Sequence, residues 1–359
     1  MRRFLAITIS LGVTALLIAW LFRDTDWPAL GEALSQVHVG WLLAAKGLVW
    51  LSFFLRVQRW SYIVRATEPA SFRAMFSATQ IGFLANFALA YRAGEIIRAF
   101  ILSRLTPIPF VKGMALVTLD RVTDVIGLVV VLLMAVAAFH YMGAVYIPAE
   151  LLVGQEPFLV PPGMVQIATA VTVGLTVGLI AMLSLLYVNQ DLAVRISDRC
   201  LGFVSQGLAR RVHRMLMQFA QGLHIFRSPS DMAKSVCFSL LTWGCFVLSV
   251  YFFLWAFHIE APWYTPFVVQ ALLAVAIVVP IAPGFVGQFH FGIVAGLLLA
   301  APHVSMATAQ AVAITAHLMN LIPVFLAGLF CLWLEHLGLF DLRRESMEAE
   351  AALHPGDQQ

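Results

Sequence analysis

The chain has 359 residues, of which 61% are hydrophobic and only 11% are charged, with a formal net charge of +3. Soluble domains carry roughly 25% charged residues, so a water-soluble fold of this size would lack the charge to cover its surface. The mean hydropathy of +0.89 instead fits several membrane-spanning helices, and disfavours both a large cytosolic catalytic fold and nucleic-acid binding.

Residues 4–22 form the first predicted span. Arg2 and Arg3 precede it, but no small-x-small cleavage site follows, so the segment reads as uncleaved. A second full span covers 41–63. Residues 74–104 behave differently, because an apolar stretch is interrupted by Asn86, Arg92, Gly94, Glu95 and Arg98. Gly94 permits a tight turn, while Arg92 and Arg98 can hold a phosphate or carboxylate bidentately, with Glu95 neutralising one arginine in the absence of a ligand. The structural alternative is a cytoplasmic helix end whose charges reach water by snorkelling.

The third span, 113–140, opens with Asp120-Arg121-Val-Thr-Asp124. Asp120 and Asp124 stand four residues apart and so share a helix face. Charges inside spans are costly and are functional candidates by default, although ion pairs that only clamp the bundle are the plain alternative. A fourth span covers 163–188. Between residues 190 and 228 apolar positions alternate with arginines, as in amphipathic helices lying on the cytoplasmic surface against anionic lipid.

The fifth span is 233–257. Residues 266–301 are then broken by Pro280, Pro283, Gly284 and Gly287, with a new helix expected near Gln288. Its first turn would offer N–H groups to an anion. His290, with His317 and Asn320 in the last span (306–334), can donate to the same group or carry a proton; the plain alternative is a hydrogen-bonded packing histidine. Residues 336–359 form a polar tail. The four cysteines make no CxxC pair, and no disulfide, metal site, cofactor or catalytic motif is expected.

Loop charge gives the topology. With a cytoplasmic amino terminus, the outer loops 23–40, 141–162 and 258–265 contain one basic residue, Arg23, and the inner segments hold the arginines. This requires each broken segment to enter and leave on the same side, and places both termini in the cytoplasm. The order span, span, broken hairpin, span then occurs twice with opposite orientation, as repeats 1–140 and 163–335. At an offset of 193, Gly94 falls on Gly287, Glu95 on Gln288, Pro109 on Pro302 and Asp124 on His317. The expected fold is therefore an all-α polytopic membrane protein with about six full spans and two broken re-entrant hairpins in an inverted repeat.

These stretches, from Asn86 to Arg98, Asp120 to Asp124 and Pro280 to Gly287, resemble the lysylphosphatidylglycerol synthase transmembrane region, a flippase-like family that also occurs as stand-alone proteins. The resemblance spans about residues 4–335. It implies translocation of a phospholipid or a polyprenyl-phosphate lipid across the bacterial inner membrane. Members that make aminoacyl phospholipids carry an additional aminoacyl-transferase domain, which this chain lacks, so synthase activity is not implied. The family often has Pro-Gly at Ala90-Tyr91 and an acidic residue at His290; the acidic residue suits a cationic headgroup better than histidine does. The rival classes are a membrane-embedded transferase, with Asp120 and Asp124 holding Mg²⁺ against a diphosphate, and a non-transporting scaffold.

Overall fold

The computed structural model describes residues 12, 14–66, 68–88, 94–142, 145–152, 156–161, parts of 163–181, 192, 229–278 and 282–338. Residues 14–22 are helical, and a short helix α1 (Trp27–Ser35) follows, capped by the Asp26 carboxylate on the Ala29 N–H. The long helices are α2 (Val39–Val64), α5 (Phe110–Met142), α6 (Pro229–Ala256) and α9 (Met306–Leu334). They match the spans predicted at 41–63, 113–140, 233–257 and 306–334. Most of the fourth span, the amphipathic segment 190–228 and the tail beyond residue 338 lie outside the described residues.

The two interrupted segments each form a pair of short helices. The first is α3 (Phe72–Ala88) with α4 (Gly94–Leu105), and the second is α7 (Thr265–Ala276) with α8 (Gln288–Ala300). At about 1.5 Å per residue, none of the four reaches across the roughly 30 Å of a bilayer core. Among the described residues five segments are long and apolar enough to cross a membrane, the fifth being Pro283–Ala300. That segment is kinked, however, because Gly284 has a positive φ and the straight helix begins only at Gln288. The connection between α5 and α6 also contains a two-stranded antiparallel ribbon, β1 (Tyr146–Ile147) with β2 (Phe158–Leu159), where only a loop was expected.

Helices α2 and α6 run antiparallel along their full length. Trp41 meets Trp255 at one end, with ring centroids 4.8 Å apart, and Tyr62 meets Phe238 at the other, 5.8 Å apart. The exposed rings of Trp41, Trp255, Trp263 and Tyr141 gather at the first end, the position of an interfacial aromatic belt.

The hairpins open at opposite ends of the bundle. Arg73 and Ser77 of α3 bond to Glu335 at the end of α9, at 3.1 and 2.7 Å. The open end of α7 and α8 lies instead beside Trp263 and the end of α5. Their tips meet inside, where Phe87 packs edge-on against Phe285 at 5.4 Å. The packing is reciprocal: α9 lies on α3 and α5 on α7, while α4 leans on α5 and α8 on α9.

Close helix approach is what glycine supplies in both hairpins. A Cβ on Gly94 would collide with the Gly82 carbonyl, and one on Gly296 would stand 2.6 Å from the Val269 Cα. Gly296→Leu should therefore cost about 1–3 kcal/mol by overpacking. Gly244→Ala, where a Cβ meets nothing within 4 Å, should instead hold or raise stability, by up to about 1 kcal/mol, in thermal unfolding of the purified protein.

Candidate functional site

Three helices carry charge into the apolar bundle. From α2 come Arg56 and Arg59, three residues apart and so on one face. The α4 helix contributes Glu95 and Arg98, and α5 contributes Asp120, Arg121 and Asp124. Taking an ion out of water costs several kcal/mol unless it is paired and hydrogen-bonded, so the geometry of this group is tightly constrained.

Arg59 is the hub, with no exposed side-chain surface. Its Nε donates to Asp120 Oδ1 at 3.0 Å, and its Nη1 donates to Asp124 Oδ1. Arg98 Nη1 donates to Asp120 Oδ2 at 2.7 Å, so both Asp120 oxygens are occupied. The Arg98 guanidinium carbon also lies 3.6 Å from the Trp60 ring centroid, a close cation–π contact. Trp243 of α6 donates its indole N–H to Asp124, 3.1 Å from the backbone carbonyl and 3.2 Å from Oδ1. Glu95 pairs with Arg121 at 3.2 Å, and Arg121 approaches Asp124 at 3.9 Å.

The result is an alternating line of charge: Arg98, Asp120, Arg59, Asp124, Arg56. Its last link is loose, because Arg56 Nη1 stands 3.8 Å from Asp124 Oδ2. Arg56 makes no hydrogen bond among the described residues. Its guanidinium sits between the rings of Phe83 and Phe246, with centroids 5.6 and 5.2 Å away. Among the described residues four guanidiniums face three carboxylates, which leaves one positive charge in excess. Arg98 Nε and Nη2, and Arg59 Nη2, are buried without hydrogen-bond partners among the described residues.

Beyond Arg56 lies a cavity of about 220 Å³, bounded by α2, α6, α7, α8, α9 and the two hairpin tips. Phe87, Phe253, Phe285, Leu273 and Ile293 form much of its wall. Arg56 is thus the link between the charged line and this chamber.

The second group of sequence-predicted residues builds the turn of the other hairpin. Gly284 and Gly287 adopt φ of 63° and 84°, backbone that glycine reaches without strain. His317 Nε2 bonds the Gly284 carbonyl at 2.8 Å, and His290 Nδ1 accepts the Gly287 N–H at 3.3 Å. Gln288 accepts from Ala282 N–H at 3.2 Å and donates to the Ala276 carbonyl at 2.8 Å, stitching the turn to the end of α7. Pro283 begins a 3-10 element in the turn. The His290 and His317 rings meet edge-on, with centroids 4.7 Å apart. The first turn of α8 faces Leu17, and its Gly287 N–H is spent on His290 instead of facing open space.

Of the residues singled out from sequence, Glu95, Arg98, Asp120, Arg121 and Asp124 come together. Asn86 bridges the break in the first hairpin, accepting the Gly94 N–H at 2.9 Å. Asn320 borders the cavity and donates to the Ala316 carbonyl within its own helix. Arg92 lies outside the described residues. The sequence pattern did not single out Arg56, Arg59, Trp60 or Trp243. The available signal was a pair of arginines inside the apolar span 41–63. Among the described residues no group of three or more His, Cys, Asp or Glu is placed to hold a metal ion, and the Asp120 oxygens already face guanidiniums.

A family model described as "Lysylphosphatidylglycerol synthase TM region" matches residues 5–328. Comparison with curated proteins finds no match.

Removing Asp120 would leave both Arg59 and Arg98 buried and short of counter-charge. Asp120→Asn should cost about 3–5 kcal/mol. Glu95 and Arg121 are partly exposed, so Glu95→Gln should cost less than about 1 kcal/mol. Thermal unfolding of the two variants, side by side, checks the ranking.

Proposed function

We propose that this chain, which belongs to the lysylphosphatidylglycerol synthase TM region family, moves an anionic phospholipid or polyprenyl-phosphate lipid between the leaflets of the bacterial inner membrane. The observation that carries this reading is Arg56. It is the one member of the charged line that borders the cavity, its only counter-ion contact among the described residues is long, and the cluster around it has one positive charge in excess.

A lipid phosphate meeting Arg56 would replace the 3.8 Å contact to Asp124 with charge-assisted hydrogen bonds, each worth about 1.5–3 kcal/mol. Arg59 cannot serve in the same way, since it is fully buried away from the cavity and its Nε and Nη1 are committed to two aspartates. Arg98 is buried, bound to Asp120 through Nη1 and stacked on Trp60, and it does not border the cavity. Their role is to hold Asp124 and, through it, the direction in which Arg56 points.

The two hairpins are read as re-entrant, entering from opposite faces of the membrane and meeting at Phe87 and Phe285. Exchanging α2–α5 for α6–α9 maps each helix packing described above onto another, which supports an inverted two-fold repeat. In such a repeat, broken helices meet near the midplane, and rocking of one half against the other exposes the site alternately. Both termini then face the cytoplasm, where the arginines between 195 and 227 contact anionic lipid. Translocation of this kind makes and breaks no covalent bond.

Reconstitution into liposomes tests the reading. The wild-type protein should accelerate exchange of labelled phosphatidylglycerol or polyprenyl phosphate between leaflets. Arg56→Gln should slow it roughly tenfold or more, the equivalent of one lost charge-assisted contact, with thermal stability retained. Exchange at the wild-type rate in Arg56→Gln would overturn the assignment.

A further inference from the structure

The cavity beside Arg56 is chemically unlike the charged line that ends there. Its walls are mostly phenylalanine, leucine, isoleucine and valine. Most of its few polar neighbours have already spent their donors within the protein. The Trp243 N–H goes to Asp124, the Ser249 hydroxyl to the Phe246 carbonyl at 2.7 Å, and the Asn320 amide to the Ala316 carbonyl. Arg56 and the Gln270 amide remain as the polar groups facing inward. A hydrated headgroup gains little in such a space, because stripping polar groups of water without replacement costs several kcal/mol. Apolar cavities stay dry and take hydrocarbon instead.

We infer that this cavity is a binding site for one hydrocarbon chain of the transported lipid, so that the tail follows its headgroup into the protein. The inference rests on the reading of Arg56 as the headgroup's anchor, and it names the part of the substrate that the rest of the site receives. A volume of about 220 Å³ is many times the roughly 10–15 Å³ that one water needs, and it admits a segment of an acyl or prenyl chain. The placement agrees with this role. The chamber lies between the two hairpin tips, against Phe87 of one and Phe285 of the other, so a chain lodged there touches both halves of the bundle at once.

The test is photo-crosslinking in proteoliposomes, using phosphatidylglycerol with a diazirine midway along one acyl chain and peptide mapping of the adducts. The expected adducts fall on inward residues such as Phe253, Leu273 and Ile293. In Ala316→Phe, and independently in Ala274→Phe, those adducts should fall roughly tenfold, as loss of contact with about two methylenes would produce. Unchanged thermal unfolding of either variant certifies its fold. Adducts confined to outward residues such as Leu248, Val275 and Leu326 would overturn the inference. So would inward labelling that neither substitution reduces. Diacylglycerol carrying the same diazirine separates the two levels of the account. Inward labelling by diacylglycerol equal to that by phosphatidylglycerol keeps the chain site and removes Arg56 as a headgroup anchor. Outward labelling alone, with phosphatidylglycerol binding still dependent on Arg56, keeps the anchor and removes the chain site.

Discussion

Arg59 has no exposed side-chain surface and sits within a bundle whose surroundings are almost entirely apolar. A lone guanidinium there would be prohibitively costly, so it requires two carboxylates, and Asp120 and Asp124 supply them one helical turn apart on α5. That requirement fixes how α2 crosses α5. It also draws in the first hairpin, because the second oxygen of Asp120 takes Arg98 from α4. Three helices are thereby locked in register by one buried cation. What remains is an odd charge, carried by Arg56, held loosely and facing an apolar chamber. The charged line positions that arginine; binding is left to its free end.

The two halves of the bundle share an arrangement but not a chemistry. In the first hairpin the break is flanked by Glu95 and Arg98. In the second, glutamine and histidine occupy the corresponding region, and each of these side chains helps to hold the turn. Gln288 ties the turn to α7, His290 caps Gly287, and His317 holds the Gly284 carbonyl. Hydrogen bonds from neutral groups cost little to break compared with buried ion pairs. The first half is therefore the stiffer, charge-bearing side, and the second hairpin is the part that can rearrange at lower cost. Pro323 adds a local detail: it cannot donate to the Met319 carbonyl, and Lys46 of α2 reaches across to that oxygen at 3.4 Å.

Much of this was legible from local pattern. Runs of about 20 apolar residues predict four helices to within four residues at each end; polar and charged residues around Gly94 locate the first break and the Pro and Gly cluster at 280–287 the second, because these depend only on composition and backbone chemistry. Asp120 and Asp124 stood out for the same reason, as carboxylates one turn apart inside a span. Arg56 and Arg59 did not, because an arginine within a few turns of a helix end is readily explained by snorkelling to water. Their burial follows from the crossing of α2 with α5 and α6, and no spacing along α2 encodes that crossing. The role of Gln288 was hidden for a similar reason, since its partners, Ala276 and Ala282, are backbone groups on the far side of a turn.

Arg56 is the open end of the charged line, the point where an anion would be received. The direct measurement is lipid retention by native mass spectrometry, after release from nanodiscs containing equal phosphatidylglycerol and phosphatidylcholine. The wild-type protein should carry off one phosphatidylglycerol in clear preference to phosphatidylcholine, and Arg56→Gln should retain the two without preference. An undiminished preference for phosphatidylglycerol in Arg56→Gln would contradict the account.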